Sequence, residues 1–159
     1  MNQLAIVISL FSLFVSIATF IWNYNRNRFK MSVKIVATAI KSSISISPNT
    51  GIVIVANFEN NSANPITIGS ISVDDIYSVK ETLSDNGYNG QKITKSVSSL
   101  PCDLSPYQAK KLVFFIPMSN PNLNKTFVLN TYTTRGVHKR SLDVSFYKIN
   151  FTDLIRDDY

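Results

Sequence analysis

Few residues in this 159-residue chain belong to the types that carry chemistry. Its single histidine, His138, sits in Gly136-Val-His-Lys-Arg140 with cations on its C-terminal side. A catalytic imidazole needs a carboxylate to orient it, and Asp143 is the nearest acid, so a surface histidine on a hairpin arm is expected. Cys102 is the single cysteine and has no intramolecular disulfide partner. It lies between Pro101 and Asp103, with no cation close in sequence to generate a thiolate, and reads as a buried or idle thiol. One Cys and one His also exclude an ordinary zinc or haem site built from those ligands in one chain. Asp85-Asn-Gly-Tyr-Asn-Gly90 has the spacing of half a calcium loop. Gly87 occupies the third ligand place, however, and Ser96 the twelfth, where a bidentate Glu is wanted. A hairpin tip is the better reading. Asp74-Asp75 could pair as acid and base only if both faced one side, and neighbours in a strand do not, so a turn or strand end is expected. No nucleophile elbow, P-loop, dinucleotide fingerprint or metalloprotease helix occurs. No catalytic, cofactor or metal residues are therefore assigned, and an enzyme is not expected.

The net charge of +6 is unevenly placed. Arg26, Arg28, Lys30, Lys34 and Lys41 precede the first acid, Glu59, and the rest of the chain is close to neutral. A nucleic-acid-binding domain carries its charge on the folded body, so no nucleic-acid partner is expected. Lys110, Lys111, Arg135, Lys139 and Arg140 would form one basic patch if their strands were neighbours; solvated faces explain them as well.

Leu4 to Trp22 is nineteen residues without a charge, twelve of them Leu, Ile, Val or Phe. As a helix it would be about 28 Å long, close to the roughly 30 Å of hydrocarbon in a bilayer. The twelve large side chains favour insertion by roughly 4 to 7 kcal/mol. Trp22 and Tyr24 fall where an interfacial aromatic belt belongs, and Arg26, Arg28 and Lys30 follow at once. No Lys or Arg precedes the span, so the positive-inside rule places the N-terminus outside and the body in the cytoplasm. A cleaved signal peptide would want a basic leader and small residues at its exit, which Ile21-Trp22-Asn23-Tyr24 does not supply. An uncleaved anchor is expected over 1–24, with a basic linker at 25–30. The sequons at Asn60, Asn124 and Asn150 are discounted in so Asn-rich a chain. Ala5, Ser9, Ser12, Ser16 and Thr19, with Asn2 and Asn23 at the ends, repeat at 3-4 spacing and share one helix face. That seam suits a second copy or another membrane protein, or else its hydroxyls bond backward along their own helix.

Beyond Arg28 the period changes to that of strands. Met31–Ile40, Ser43–Ser47, Ile52–Phe58, Ile66–Ile68, Ile71–Val79, Gln91–Val97, Lys110–Pro117, Thr126–Thr134 and Val137–Ile149 are predicted as strands, with a polar tip over Ser84–Gly90. Short strands at roughly ten-residue spacing, broken by Pro, Asn and Gly, describe an antiparallel sandwich over 31–150. Ile35, Ile44, Ile46, Ile52, Ile54, Phe58, Ile66, Ile68, Leu112, Phe114, Val128, Leu142 and Phe146 are its inward candidates. The tail, 151–159, has Phe151, Leu154 and Ile155 at helical spacing and is read as a cap on the sandwich, with a peptide handle as the alternative.

The span with its basic exit, the stretch ANFEN…NPITI at 56–68 and LPCDLSPYQAKKLVFFIP at 100–117 together resemble small bacterial and phage membrane-anchored proteins with an immunoglobulin-like domain. The resemblance implies a mainly β, immunoglobulin-like sandwich behind a single transmembrane helix, and no activity. The expected function is a non-enzymatic membrane-anchored interaction module. Its partners would be the bilayer, a second copy or membrane protein through the helix, and a protein on the sandwich. An extracytoplasmic surface-recognition or phage-exclusion factor on the same anchor is the alternative.

Overall fold

The computed structural model describes residues 2–41, 50–87, 89–119 and 126–156. Its apolar N-terminal segment is one helix, α1 (Asn2–Asn27), followed by strands β1 (Met31–Lys41), β2 (Gly51–Asn60), β3 (Ile66–Val73) and β4 (Ile76–Tyr77). Then come β5 (Thr82–Asn86), β6 (Lys92–Ser96), β7 (Cys102–Leu104), β8 (Ala109–Pro117), β9 (Thr126–Thr133), β10 (Gly136–Asp143) and a short helix, α2 (Phe151–Arg156). The chain is therefore mainly β behind one apolar helix. All named strand pairs are antiparallel.

A three-stranded sheet runs β1-β2-β8, and a larger one runs β10-β9-β3-β4 with β7 also paired to β3. The main core lies between them. Ile52, Ile54, Ala56 and Phe58 of β2 and Leu112, Phe114 and Ile116 of β8 meet Ile68, Ile71 and Val73 of β3, Leu129 of β9 and Leu142 of β10. Phe58 and Phe114 pack at a ring separation of 6.3 Å.

The smaller sheet is covered on its other face as well. Val53 and Val55 of β2 and Val113 and Phe115 of β8 form a second core with Leu83, Val97, Phe151, Leu154 and Ile155. This explains why Ile52-Val-Ile-Val-Ala56 is a continuous apolar run instead of an alternation: a strand buried on both faces has no polar side. The covering layer is the β5–β6 hairpin and α2. Thr152 donates to the Asp85 carboxylate at 2.6 Å, and Lys95 Nζ donates to the Leu154 carbonyl at 3.1 Å. Phe151, Leu154 and Ile155 all point into this core, as the helical spacing of the tail anticipated.

Two irregularities set which side chains face which core. Val33 faces the main core and Ala37 and Ala39 the second, because β1 shifts register between Ile35 and Ala37. An extra residue at a bulge exchanges the two faces of everything after it. β3 shifts likewise between Ile68 and Ser70.

Several expected boundaries and core positions are corrected. The helix runs three residues past Tyr24, so the connection to β1 is only 28–30. The strand expected over Ile71–Val79 ends at Val73, where Asp74 and Asp75 take φ of 45° and 68° and form a tight hairpin turn of the primed type. The expected polar tip over Ser84–Gly90 instead supplies part of β5. Val128 is 42% exposed because Phe127 and Leu129, its neighbours in β9, take the inward positions. Phe146 is 79% exposed because β10 stops at Asp143, whose carboxylate accepts from Ser145 N and Oγ and from Phe146 N. Such a side-chain-to-backbone turn competes with the ladder and ends the strand. Ile35 is half-buried against the main core, and Ile44, Ile46 and the Ser43–Ser47 strand lie outside the described residues.

Candidate functional site

All described side chains of α1 are exposed, including Leu4, Phe14 and Phe20 near 70%. From Gln3 to Asn27 the helix is long and apolar enough to cross a membrane. It carries no charge between Leu4 and Trp22, and none of that stretch is buried against the body. In the seam, Ser9 donates to the Ala5 carbonyl at 2.9 Å, Ser16 to Ser12 at 2.9 Å and Thr19 to Val15 at 2.8 Å. Those hydroxyl donors are used within the helix, so a lateral partner would meet small-residue packing and acceptor oxygens.

The end of α1 is fixed to the body. Arg135 Nη2 donates to the Asn27 carbonyl at 3.1 Å, and Asn64 Nδ2 donates to Asn27 Oδ1 at 3.0 Å. A guanidinium at a helix C-terminus satisfies a free carbonyl and opposes the negative end of the helix dipole, as Arg26 in the last turn also does. Asn61 N donates to the Lys30 carbonyl at 2.9 Å. Arg28 and Lys30 are exposed beside this junction, as are Trp22 and Tyr24 one to two turns above it.

The loops that meet the helix are organised by one buried amide. Asn60 Nδ2 donates to the carbonyls of Asn64 (2.8 Å), Ser105 (3.0 Å) and Leu104 (3.2 Å). Its Oδ1 accepts from Ser62 N at 3.0 Å and Ser62 Oγ at 2.6 Å. Asn60 and Ser62 are each 1% exposed, so this sequon is closed to modification in the folded chain. The second of these loops ends in Tyr107, 71% exposed with φ of 57°, on a turn closed by Gln108 N to the Ser105 carbonyl at 3.2 Å.

The proposed basic patch is not one surface. Lys110 and Lys111 lie on β8, an edge of the smaller sheet, while Lys139 and Arg140 lie on β10, an edge of the larger one. β8 and β10 are not neighbours, and Arg135 is engaged at the helix end. A different cation is built into the body: Lys41 is fully buried, pairs with Glu81 and lies 5.0 Å from the Phe115 ring centre. Sequence reasoning missed it, since a lysine ending a strand carries no signal of burial.

Burial pushes His138 below its usual 6.5, and Arg140 adds to the shift. Asp143 is held below the usual carboxylate range chiefly by Ser145, with Phe146 N assisting. Tyr77 is raised by its hydrogen bond to Tyr132, with which it stacks at 5.8 Å. Cys102 is buried, its thiol 3.8 Å from the Asp103 carbonyl. Asp85 is committed to Thr152 and to Asn86 N. Among the described residues, no three His, Cys, Asp or Glu side chains converge as a metal site. No protein-family model matches this chain, and no curated protein matches it.

Proposed function

We propose that the protein is a single-pass membrane anchor carrying a non-enzymatic β-sandwich interaction module of immunoglobulin-like type. The observation that carries this reading is α1: uncharged from Leu4 to Trp22, long enough to span, and uncovered by the body. In water that surface would be a large association liability, whereas in lipid it is the solvent-facing surface. The Arg26, Arg28 and Lys30 cluster on one side of the span favours a cytoplasmic body held close to an anionic leaflet. The small-residue face of α1 offers a second copy or another membrane protein a close approach. The exposed loops and edge strands of the body offer a protein partner surface contact or strand addition.

Carbonate washing of membranes from expressing cells tests the anchor: the full chain stays in the pellet, and its release into the wash refutes the reading. Protease accessibility in intact and permeabilised cells tests orientation. Cleavage of the body only after permeabilisation is expected; cleavage in intact cells would place it outside, as a surface-recognition or exclusion factor requires.

A further inference from the structure

Trp22, Arg26 and the apolar residues Phe14, Ile17 and Ile21 form one wall of a groove of about 870 Å³, and Tyr107 of the body forms the other. That volume lies in the range of small-ligand sites, roughly 300–1,000 Å³. The groove is apolar along α1 and cationic at its Arg26 end. Arg26 is exposed and has no ion-pair partner among the described residues.

Tyr107 is an odd choice for its place. Its φ of 57° is a left-handed conformation that Gly or Asn adopts with little strain, whereas a bulky residue there is costly. An exposed, strained aromatic on a loop pinned by Asn60 and Gln108 is held there by its surroundings, and such outliers gather at binding sites. It lines the same groove as Trp22, at the level where the apolar span gives way to charge.

We propose that this groove binds an anionic phospholipid of the leaflet in which α1 ends. One acyl chain lies along Phe14, Ile17 and Ile21, the phosphate meets Arg26, and Tyr107 and Trp22 flank the glycerol region. The proposal rests on the anchor reading. Continuity with the apolar span selects a lipid, and the unpaired guanidinium selects an anionic headgroup.

Trp22 is the single tryptophan and lines the groove, so it is a built-in reporter. The full chain is reconstituted in phosphatidylcholine vesicles with a minor fraction of phosphatidylglycerol, and the acyl bromine label is placed on either lipid. Trp22 quenching per labelled molecule should favour phosphatidylglycerol roughly fivefold, the factor expected from one surface cation. Arg26→Gln should bring the ratio near one. Tyr107→Asn, which suits the left-handed backbone and removes the ring, should at least halve the preference while Arg26 remains. Lys92→Gln, an exposed cation on β6 in the layer that covers the other face of the smaller sheet, should leave it unchanged. Equal quenching by both lipids overturns the proposal, as does a full preference in Tyr107→Asn, since basic attraction alone would then suffice. Absence of quenching by either label, with no flotation of the protein, would overturn the anchor reading as well. Flotation with equal quenching overturns the groove alone.

Discussion

Replacement of Asn60 by Ala should unfasten the end of the body that meets α1. The amide has two N–H hydrogens for three carbonyls, so the longest contact, 3.2 Å to Leu104, is shared, and Oδ1 accepts two further bonds from Ser62. Four full hydrogen bonds are lost, each worth about 0.5–1.5 kcal/mol net, and buried partners left unpaired add to the cost. A loss of about 4 kcal/mol follows, a large share of the 5–15 kcal/mol that holds a typical domain together. Thermal melting followed by far-ultraviolet circular dichroism, with the full chain in detergent, should drop by roughly 10–15 °C. Ser62→Ala removes one hydroxyl that serves Asn60 Oδ1 and the Asn64 carbonyl, and should cost about 1 kcal/mol. The double variant should fall short of the sum, because both substitutions remove the same bond. A loss below about 1 kcal/mol for Asn60→Ala would mean that water replaces the amide and that the hub does not organise these loops.

Gly51→Ala should destabilise strongly, because its Cβ would lie 2.2 Å from the Ile116 carbonyl oxygen and 2.6 Å from the Phe115 ring; a denaturant midpoint equal to the parent would refute that packing. Leu154→Ala in α2 should cost about 2–5 kcal/mol, the range for a buried leucine, whereas a solvated tail would cost almost nothing in the same titration. His138 takes its proton less readily in the folded chain than in the unfolded one. Its contribution is therefore fully present above about pH 6.5 and is lost as pH falls below that value. Melting between pH 7.5 and 5.5 should show less acid sensitivity in His138→Gln than in the parent, and equal slopes would count against the burial of this imidazole.

The parts legible in the sequence were those with a strong local period. The uncharged run from Leu4 to Trp22 and the turn residues between strands fix α1 and most of the ladder without reference to tertiary contacts. The alternation fails where the backbone shifts phase: the bulges after Ile35 and Ile68 reverse the faces of β1 and β3, and no residue type announces them. Val128 is subject to the same one-residue ambiguity, since Phe127 and Leu129 beside it are equally apolar and take the inward positions. Polar sequences hid the outer layer. Thr82-Leu-Ser-Asp-Asn86 has one large apolar residue, Leu83, and it becomes a strand because its pairing with β6 covers the smaller sheet. At the candidate site, the aromatic and basic residues after the span stand out by type. Tyr107, Asn60 and Arg135 do not, because their roles come from segments 37 to 108 residues apart that meet only in the folded chain.

The junction between helix and body has a consequence for how any partner is met. With three residues between α1 and β1, and with Arg135 and Asn64 both bonded to Asn27, the body has little freedom to rotate about the anchor. The loops around Asn64, Tyr107 and Arg135 then lie beside the end of α1, where the anchor reading turns them toward the bilayer. The β5–β6 hairpin closes the outer face of the smaller sheet. One edge open to a protein partner belongs to the larger sheet: β10 is hydrogen-bonded in its sheet only to β9 and carries Lys139 and Arg140. Those cations discourage a second copy from pairing edge to edge, because like charges would face each other across the new ladder. They favour an acidic strand instead. On the anchor reading, the charge near Arg26 acts on lipid and the charge on β10 on strand pairing, although both contribute to the one net figure of +6.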